Sequence, residues 1–247
     1  MDSPRLCEEE RTIQTVCLSF FRFPTLSGRL WAFAQMGFAR PVLASMPEVK
    51  FWKLFGSGVG EGFTPIPNTA VYAVMTVFDD RKTAQDVLTH SPLFARYRAW
   101  AEDHWSVFLH PTSVRGAWAG ETPFTETGAD ISKGPLVALT RATLRPRNIA
   151  KFWGRVPAIS KMIGSDPNVI FKIGIGEVPW FHQVTFSIWP NAEKMAEFAR
   201  LDGPHARAIK AVREHDWFRE ELYARFTIAG EFGTWPDLHS LAPKVLK

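Results

Sequence analysis

The chain has 247 residues, of which 46% are hydrophobic and 22% are charged, a composition that excludes disordered and collagen-like proteins. Its formal net charge is +4, and residues 124–247 carry the whole excess, with 17 basic and 13 acidic side chains. This charge is too small for a general nucleic-acid coat, but it suits one anionic ligand group. The 20 Phe and 10 Trp, beside only 3 Tyr, indicate large apolar surfaces.

The N-terminal residues predict no secretory signal, since residues 1–14 are acidic and contain no apolar core. The sequence contains no uninterrupted stretch of about 18 apolar residues, so no transmembrane helix is predicted. The two cysteines, Cys7 and Cys17, offer neither a metal-binding spacing nor a disulfide framework. We therefore expect a cytoplasmic protein that is soluble or sits on a membrane surface.

The first half of the chain predicts the order strand, helix, strand, strand, helix, strand. Apolar alternation predicts strands over 12–23, 49–55, 69–77 and 107–118. Helical spacing covers 27–44, broken near Pro41, and then 81–88 and 93–102, interrupted at Pro92. This βαββαβ order is that of a ferredoxin-like unit.

The second half repeats this order after a polar linker over 121–133. Its predicted strands are 136–143, 169–175, 183–189 and 222–232, and its predicted helices are 149–162, 192–201 and 205–214. Landmarks such as PEVKF at 47–51 and PNVIF at 167–171 recur in the same order, about 111–120 residues apart. We therefore predict an α+β fold of two tandem ferredoxin-like domains, 11–120 and 134–236, packed sheet to sheet like a dimeric α/β barrel.

The chain lacks the motifs of dinucleotide, P-loop, zinc-protease and serine-hydrolase sites. The glycine-rich run over 56–62 has no Walker lysine, so a hairpin loop is the favoured interpretation and a ligand-facing loop the alternative. No carboxylate pair has an identifiable acid–base spacing. These observations leave histidine as the most informative residue type.

Comparison of the two halves singles out His205. Pro204 takes the first position of a predicted helix, and His205, Ile209 and Val212 lie on one apolar face of it. The first half has Leu93 at the matching position. A satisfied core histidine is one interpretation; a haem ligand is the other, because a helix N-terminus keeps the imidazole neutral. One axial histidine is enough for haem, whereas zinc needs at least three protein ligands.

Three more polar residues of the second half are candidates for the same pocket. Arg141 interrupts an apolar strand, either in a structural salt bridge or as a donor to a ligand. Gln183 begins a polar strand face that is either solvated or part of the pocket. His182 precedes this strand, and a place in the same cavity is the functional alternative to a structural role.

Several segments resemble the spheroidene monooxygenase family, and together they extend over roughly residues 12–236. The most specific are VCLSFFRF at 16–23, FWKLFGSGVGEGFTP at 51–65, GIGEVP at 174–179, TFSIWP at 185–190, HARAI at 205–209 and WFREELYARF at 217–226. The shorter PNTA at 67–70 and LTRA at 139–142 add to the resemblance.

The resemblance implies a haem-dependent monooxygenase that introduces a C-2 keto group into an acyclic carotenoid, using O₂ and reduced ferredoxin. Other haem proteins with paired ferredoxin-like domains place the proximal histidine in the C-terminal unit, as His205 would be. We expect His205 on the iron, with Ile209, Val212 and His182 beside the haem. Arg141 and Gln183 are the candidate catalytic polar groups. A haem lyase or dehydratase of the same architecture and a non-catalytic carrier of a hydrophobic ligand are the alternatives.

The remaining partners follow from the substrate and from the predicted sheets. A carotenoid partitions into lipid, so we expect peripheral contact with a membrane although no anchor is visible. Self-association through sheet faces or edges predicts a homo-oligomer of unspecified copy number. We expect no nucleic-acid partner.

Overall fold

The fold is given by a computed structural model that describes residues 12–60, 62, 64–129, 131, 134–154, 168–200 and 217–241. The strands are β1 (Thr15–Arg22), β2 (Phe51–Gly58), β3 (Pro67–Phe78), β4 (Asp103–Gly116), β5 (Leu136–Leu144), β6 (Phe171–Gly176), β7 (His182–Trp189) and β8 (Phe218–Thr234). The helices are α1 (Leu26–Ala44), α2 (Arg81–His90), α3 (Pro92–Trp100) and α4 (Ala192–Arg200). Residues 149–154 are also helical, after a short 3₁₀ turn at Pro146–Asn148.

The strands close into one antiparallel barrel in the order β1-β3-β2-β6-β7-β5-β8-β4. Within each half the order is the same, β4-β1-β3-β2 and β8-β5-β7-β6. The two sheets face each other, as expected, and they also pair at both edges. β4 pairs with β8 from His104 to Gly116, whereas β2 pairs with β6 at Gly56 and Ser57. The predicted α+β class is confirmed, and the edge pairing satisfies backbone groups that open sheets would expose.

The inside of the barrel is an apolar core. Alternate residues of β1, namely Val16, Leu18 and Phe20, point inward and are buried. Phe20 stacks on Trp105 of β4 with ring centroids 5.6 Å apart. Much of the aromatic content of the chain therefore fills the barrel.

The outward face of the first sheet is covered by α1, α2 and α3. This surface, the first outer face, is formed by buried residues that include Cys17, Phe21, Leu54, Tyr72 and Val74. The helix boundaries have local causes: the Thr25 side chain accepts a hydrogen bond from the Gly28 amide, and Ser91 caps α3. The expected break near Pro41 is wrong. The helix continues through Pro41 to Ala44.

The predicted linker over 121–133 does more than join the halves. Trp118 and Phe124 are buried in the barrel core, and their rings meet edge to face at a centroid distance of 6.4 Å. The chain after β4 therefore folds over one end of the barrel. The second part of the predicted helix 149–162, from residue 155 on, and the predicted helix 205–214 lie outside the described residues.

None of the helices in the described part of the chain has both the length and the apolar character needed to cross a bilayer. The longest of them, α1, has 19 residues and packs on the sheet through Ala32, Ala39 and Leu43. The burial of this inner face holds α1 along the side of the barrel.

Candidate functional site

Strand alternation separates the predicted site residues onto two sides of the second sheet. Arg141 lies opposite Val184, which belongs to the barrel core, so Arg141 also faces inward. Gln183 lies opposite Ala142, one residue further along each strand, and faces outward. Arg141 and Gln183 therefore do not line one common pocket. His182 has the same inward orientation as Val184.

Inside the barrel, six polar or aromatic side chains form a group that we call the inner cluster. Its members are Lys53, Trp118, Arg141, Glu177, His182 and Glu220. The Trp118 indole N–H donates to Glu177 Oε1 at 2.8 Å, and Lys53 Nζ lies 3.6 Å from Glu177 Oε2. The Arg141 guanidinium pairs with Glu220 and lies over the Trp118 ring, 5.6 Å from its centroid.

Glu220 ties the inner cluster to the chain that covers the barrel end. Burial alone would raise its pKa, but amide N–H donors from Gly120 at 2.7 Å and Ala119 at 2.9 Å, with Arg141, hold that pKa below its ordinary value. Glu220 is therefore a carboxylate at neutral pH. Of the two interpretations of Arg141, this geometry matches the structural salt bridge.

His182 is neutral in this setting. Burial lowers its pKa, and the nearby Glu177 carboxylate only partly opposes that effect. Its Nδ1 lies 3.8 Å from Glu177 Oε1 and has no hydrogen-bond partner among the described residues. The structure thus brings His182 and Arg141 together on the inner side of the sheet.

On the other side, the sheet presents what we call the second outer face. It is formed by the outward residues Ala138, Thr140, Ala142, Gly174, Gln183 and Thr185 of β5, β6 and β7. Thr140 lies directly opposite Thr185, so two hydroxyls are adjacent near the centre of the face. At one end, Trp189 packs on Phe198 of α4 with ring centroids 5.1 Å apart.

The matching register of the two halves shows what distinguishes this face. The cross-strand pairs Phe21–Tyr72 and Leu54–Val74 of the first half correspond to Ala142–Gln183 and Gly174–Thr185 of the second. All four residues of the first set are buried beneath helices. Small or polar side chains thus replace large apolar ones on the second outer face.

Sequence reasoning identified the polar face of β7 but missed Ala142 and Gly174. Their significance is the absence of side-chain volume, which is visible only when the halves are compared strand by strand. The glycine-rich run at 56–62 has a structural explanation, because Gly62 packs directly against the Gly174 backbone with φ +83°.

His205, Ile209 and Val212 lie outside the described residues. Their first-half counterpart Leu93 is buried against the first outer face, together with Tyr97. Arg96 and Trp100, at the positions that match Ala208 and Val212, are exposed, and Trp100 stacks on Trp31 of α1.

A metal site built from protein ligands alone is not found in the described ranges, where no three His, Cys, Asp or Glu side chains are arranged to hold a metal ion. Gln183 and the two threonines are neutral, and they are among the polar groups that the second outer face offers to a ligand. A group bound there would need an axial ligand from elsewhere in the chain.

No family model matches the sequence. Several curated relatives do, and each is named spheroidene monooxygenase. The chain is 51% identical over 232 residues to the protein of Rhodobacter capsulatus, covering 93% of this chain and 96% of the relative. It is 49% identical over 224 residues to the protein of Cereibacter sphaeroides, covering 90% of this chain and 69% of the relative. The protein of Rubrivivax gelatinosus is 31% identical over 209 residues, covering 85% and 80%.

Solved structures share the fold at low sequence identity. A crystal structure of aldoxime dehydratase superposes with a TM-score of 0.62 at 10% identity, covering 96% of this chain and 90% of the other. An aldoxime dehydratase in complex with butyraldoxime gives a TM-score of 0.57 at 9% identity, covering 89% and 81%. At these identities the likeness concerns the fold alone.

Proposed function

The chain belongs to the spheroidene monooxygenase family, and from that membership we propose that it oxygenates an acyclic carotenoid at a haem held over the second outer face. It is a monooxygenase by family, and haem is the finer part of the proposal. The observation that carries this part is the replacement of Phe21–Tyr72 and Leu54–Val74 by Ala142–Gln183 and Gly174–Thr185.

The residues of the second outer face fit a wide, flat group. Ala142 supplies only a methyl group, Gly174 supplies no side chain, and Ala138 adds another small residue. The buried Leu93 supports His205 as the residue above this face, because the repeat places the two at equivalent positions. Ile209 follows one turn later, where the first half has the buried Tyr97.

The proposed roles divide between the two sides of a haem. Bound haem supplies an iron at which O₂ is reduced. His205 would hold the iron, with Ile209 and Val212 excluding water beside it. On the sheet side, the Thr185 hydroxyl and the Gln183 amide N–H would donate hydrogen bonds to a polar oxygen and orient it. Arg141 and His182 would stabilise the barrel end from the inner side of the sheet.

The proposed reaction converts one methylene group of the carotenoid to a ketone in two rounds. Each round uses one O₂, two electrons and two protons, places one oxygen atom into a C–H bond and releases the other as water. The second round gives a hydrate that loses water to leave the C-2 ketone. Reduced ferredoxin is the proposed electron donor.

The test begins with the protein purified from haem-supplemented cells. We expect an intense Soret absorption band that is lost or shifted in His205→Ala. The matched control is His90→Ala, which changes an exposed histidine at the end of α2 and leaves the band unchanged. The absence of the band in the unaltered protein, or an identical band in His205→Ala, would overturn the haem assignment.

The second measurement is product formation from an acyclic carotenoid with O₂ and reduced ferredoxin. We expect a product that has gained one oxygen and lost two hydrogens, and no product when either O₂ or the reductant is withheld. Turnover without O₂ and reductant would indicate a lyase or dehydratase instead. A bound pigment that never turns over would indicate a carrier.

A further inference from the structure

Helix α1 is apolar on both of its long faces. Its inner face packs on the sheet through small or apolar residues such as Ala32, Ala39 and Leu43. On the outward side, Leu26, Leu30, Phe33 and Phe38 are 74%, 62%, 69% and 72% exposed. A helix that is apolar all round is normally buried, so the outward face of α1 lacks a covering layer.

The positions of these side chains make one continuous strip. At 100° per residue, Leu26, Leu30 and Phe33 lie within one narrow sector, and Gly37 and Pro41 extend it along the helix. Phe38 lies on the flank of this sector, on the same side as Trp31. Trp31 stacks on the exposed Trp100 of α3, with ring centroids 5.5 Å apart. We call this strip, formed by Leu26, Leu30, Phe33 and Phe38, the α1 surface.

The charges on α1 all have one sign. The helix contains Arg29 and Arg40 and no Asp or Glu. Both arginines lie on one flank of the α1 surface, where long side chains can bury their stems and keep their charge in the headgroup region. Apolar side chains with flanking arginines and tryptophans are the features of a helix that lies in the interface of an anionic bilayer.

We propose that the α1 surface docks this protein onto an anionic lipid bilayer, with α1 parallel to the membrane plane. This inference does not depend on the haem or on the reaction. It assigns the expected membrane contact to a defined surface and to a lipid charge.

A second copy of the chain fits the α1 surface less well. Its four large side chains expose roughly 500 Å², at about 200 Å² for a whole side chain, whereas a stable interface takes about 800 Å² from each partner. A symmetric antiparallel contact would also place the arginines of the two copies against each other, with no acid on either helix to pair with them.

The experiment is co-sedimentation of the whole protein with vesicles. One set contains equal parts of phosphatidylcholine and phosphatidylglycerol, and the other contains phosphatidylcholine alone. We expect binding to the anionic vesicles, weakened about tenfold or more in Leu30→Ser/Phe33→Ser, because both side chains lose their apolar contact with lipid. Arg40→Gln should weaken binding roughly fivefold on anionic vesicles only.

The matched control is Ile66→Ser/Val178→Ser, which removes two exposed apolar side chains outside α1. It should bind vesicles as the unaltered protein does, and circular dichroism should show that both double variants are folded. The proposal is overturned if the α1 variant binds as well as the control. It is also overturned if light scattering without lipid finds a dimer that Leu30→Ser/Phe33→Ser dissociates, since the strip is then a contact between copies.

Discussion

Arg141 and Glu220 form an ion pair on the inner side of the barrel, where the Arg141 side chain is 2% exposed. Removing the cation leaves a partly buried carboxylate without its ionic partner. We expect Arg141→Met to lower the free energy of unfolding by about 3 kcal/mol, measured by urea denaturation. Because Arg141 faces away from the second outer face, the absorption spectrum of the folded variant should not change. A variant of normal stability that has lost its turnover would instead make Arg141 catalytic.

The lowered pKa of His182 makes stability depend on pH in a defined direction. Burial lowers this pKa in the folded state, so the unfolded chain takes up the proton more readily. The contribution of His182 to stability is fully present above about pH 6.5, the ordinary pKa of histidine. It is lost as the pH falls through the lower pKa of the folded state. His182→Asn should reduce this loss in urea titrations between about pH 8 and pH 5. An unchanged pH dependence would contradict the assignment.

Two threonines on opposite sides of the second sheet provide a matched pair for testing the site. Thr185 belongs to the second outer face, whereas the Thr143 hydroxyl is buried without a hydrogen-bond partner among the described residues. We expect Thr185→Val to lower turnover about tenfold, since it removes a positioned donor. Thr143→Val should preserve turnover and raise stability by up to about 1 kcal/mol, because it deletes an unsatisfied polar group. The reverse pattern would place the pocket inside the barrel.

Gly116 and Gly120 test how the chain turns over the barrel end. Both have positive φ, +97° and +80°, but only at Gly116 would an added Cβ overlap the Glu221 carbonyl oxygen. Gly120→Ala should cost about 1 kcal/mol, the penalty for a left-handed residue. Gly116→Ala should cost at least about 2 kcal/mol more, because β4 must move from β8. Equal losses in urea denaturation would show that the strands separate without cost.

The secondary structure was largely predictable, because alternation and helical spacing are local properties of the chain. β7, for example, was predicted over 183–189 and extends over His182–Trp189. The pairing of β4 with β8 was not predictable, since it joins residues more than one hundred positions apart. The inner cluster was missed for the same reason. Glu177 follows β6 and Trp118 follows β4, and only barrel closure brings them within hydrogen-bond distance.

The sequence singles out candidate residues where a residue differs from its counterpart in kind. The polar alternation that begins at Gln183 is such a difference. Leu93 against His205 is another, but His205 lies outside the described residues and its place in the site stays a prediction. The face of the sheet on which Arg141 lies could be determined only from the strand register, because a shift of one position along a strand moves a side chain to the opposite face.

The two halves of the barrel are joined by one long strand pairing, β4 with β8, and one short pairing, β2 with β6. Twisting the halves apart would first part β2 from β6 at Gly56 and Ser57, while the long union of β4 with β8 holds. Amide protons bordering Gly56 should therefore exchange with solvent before those of Val107 and Leu109. Solvent would reach the barrel core first between β2 and β6, while β4 and β8 keep the two halves paired.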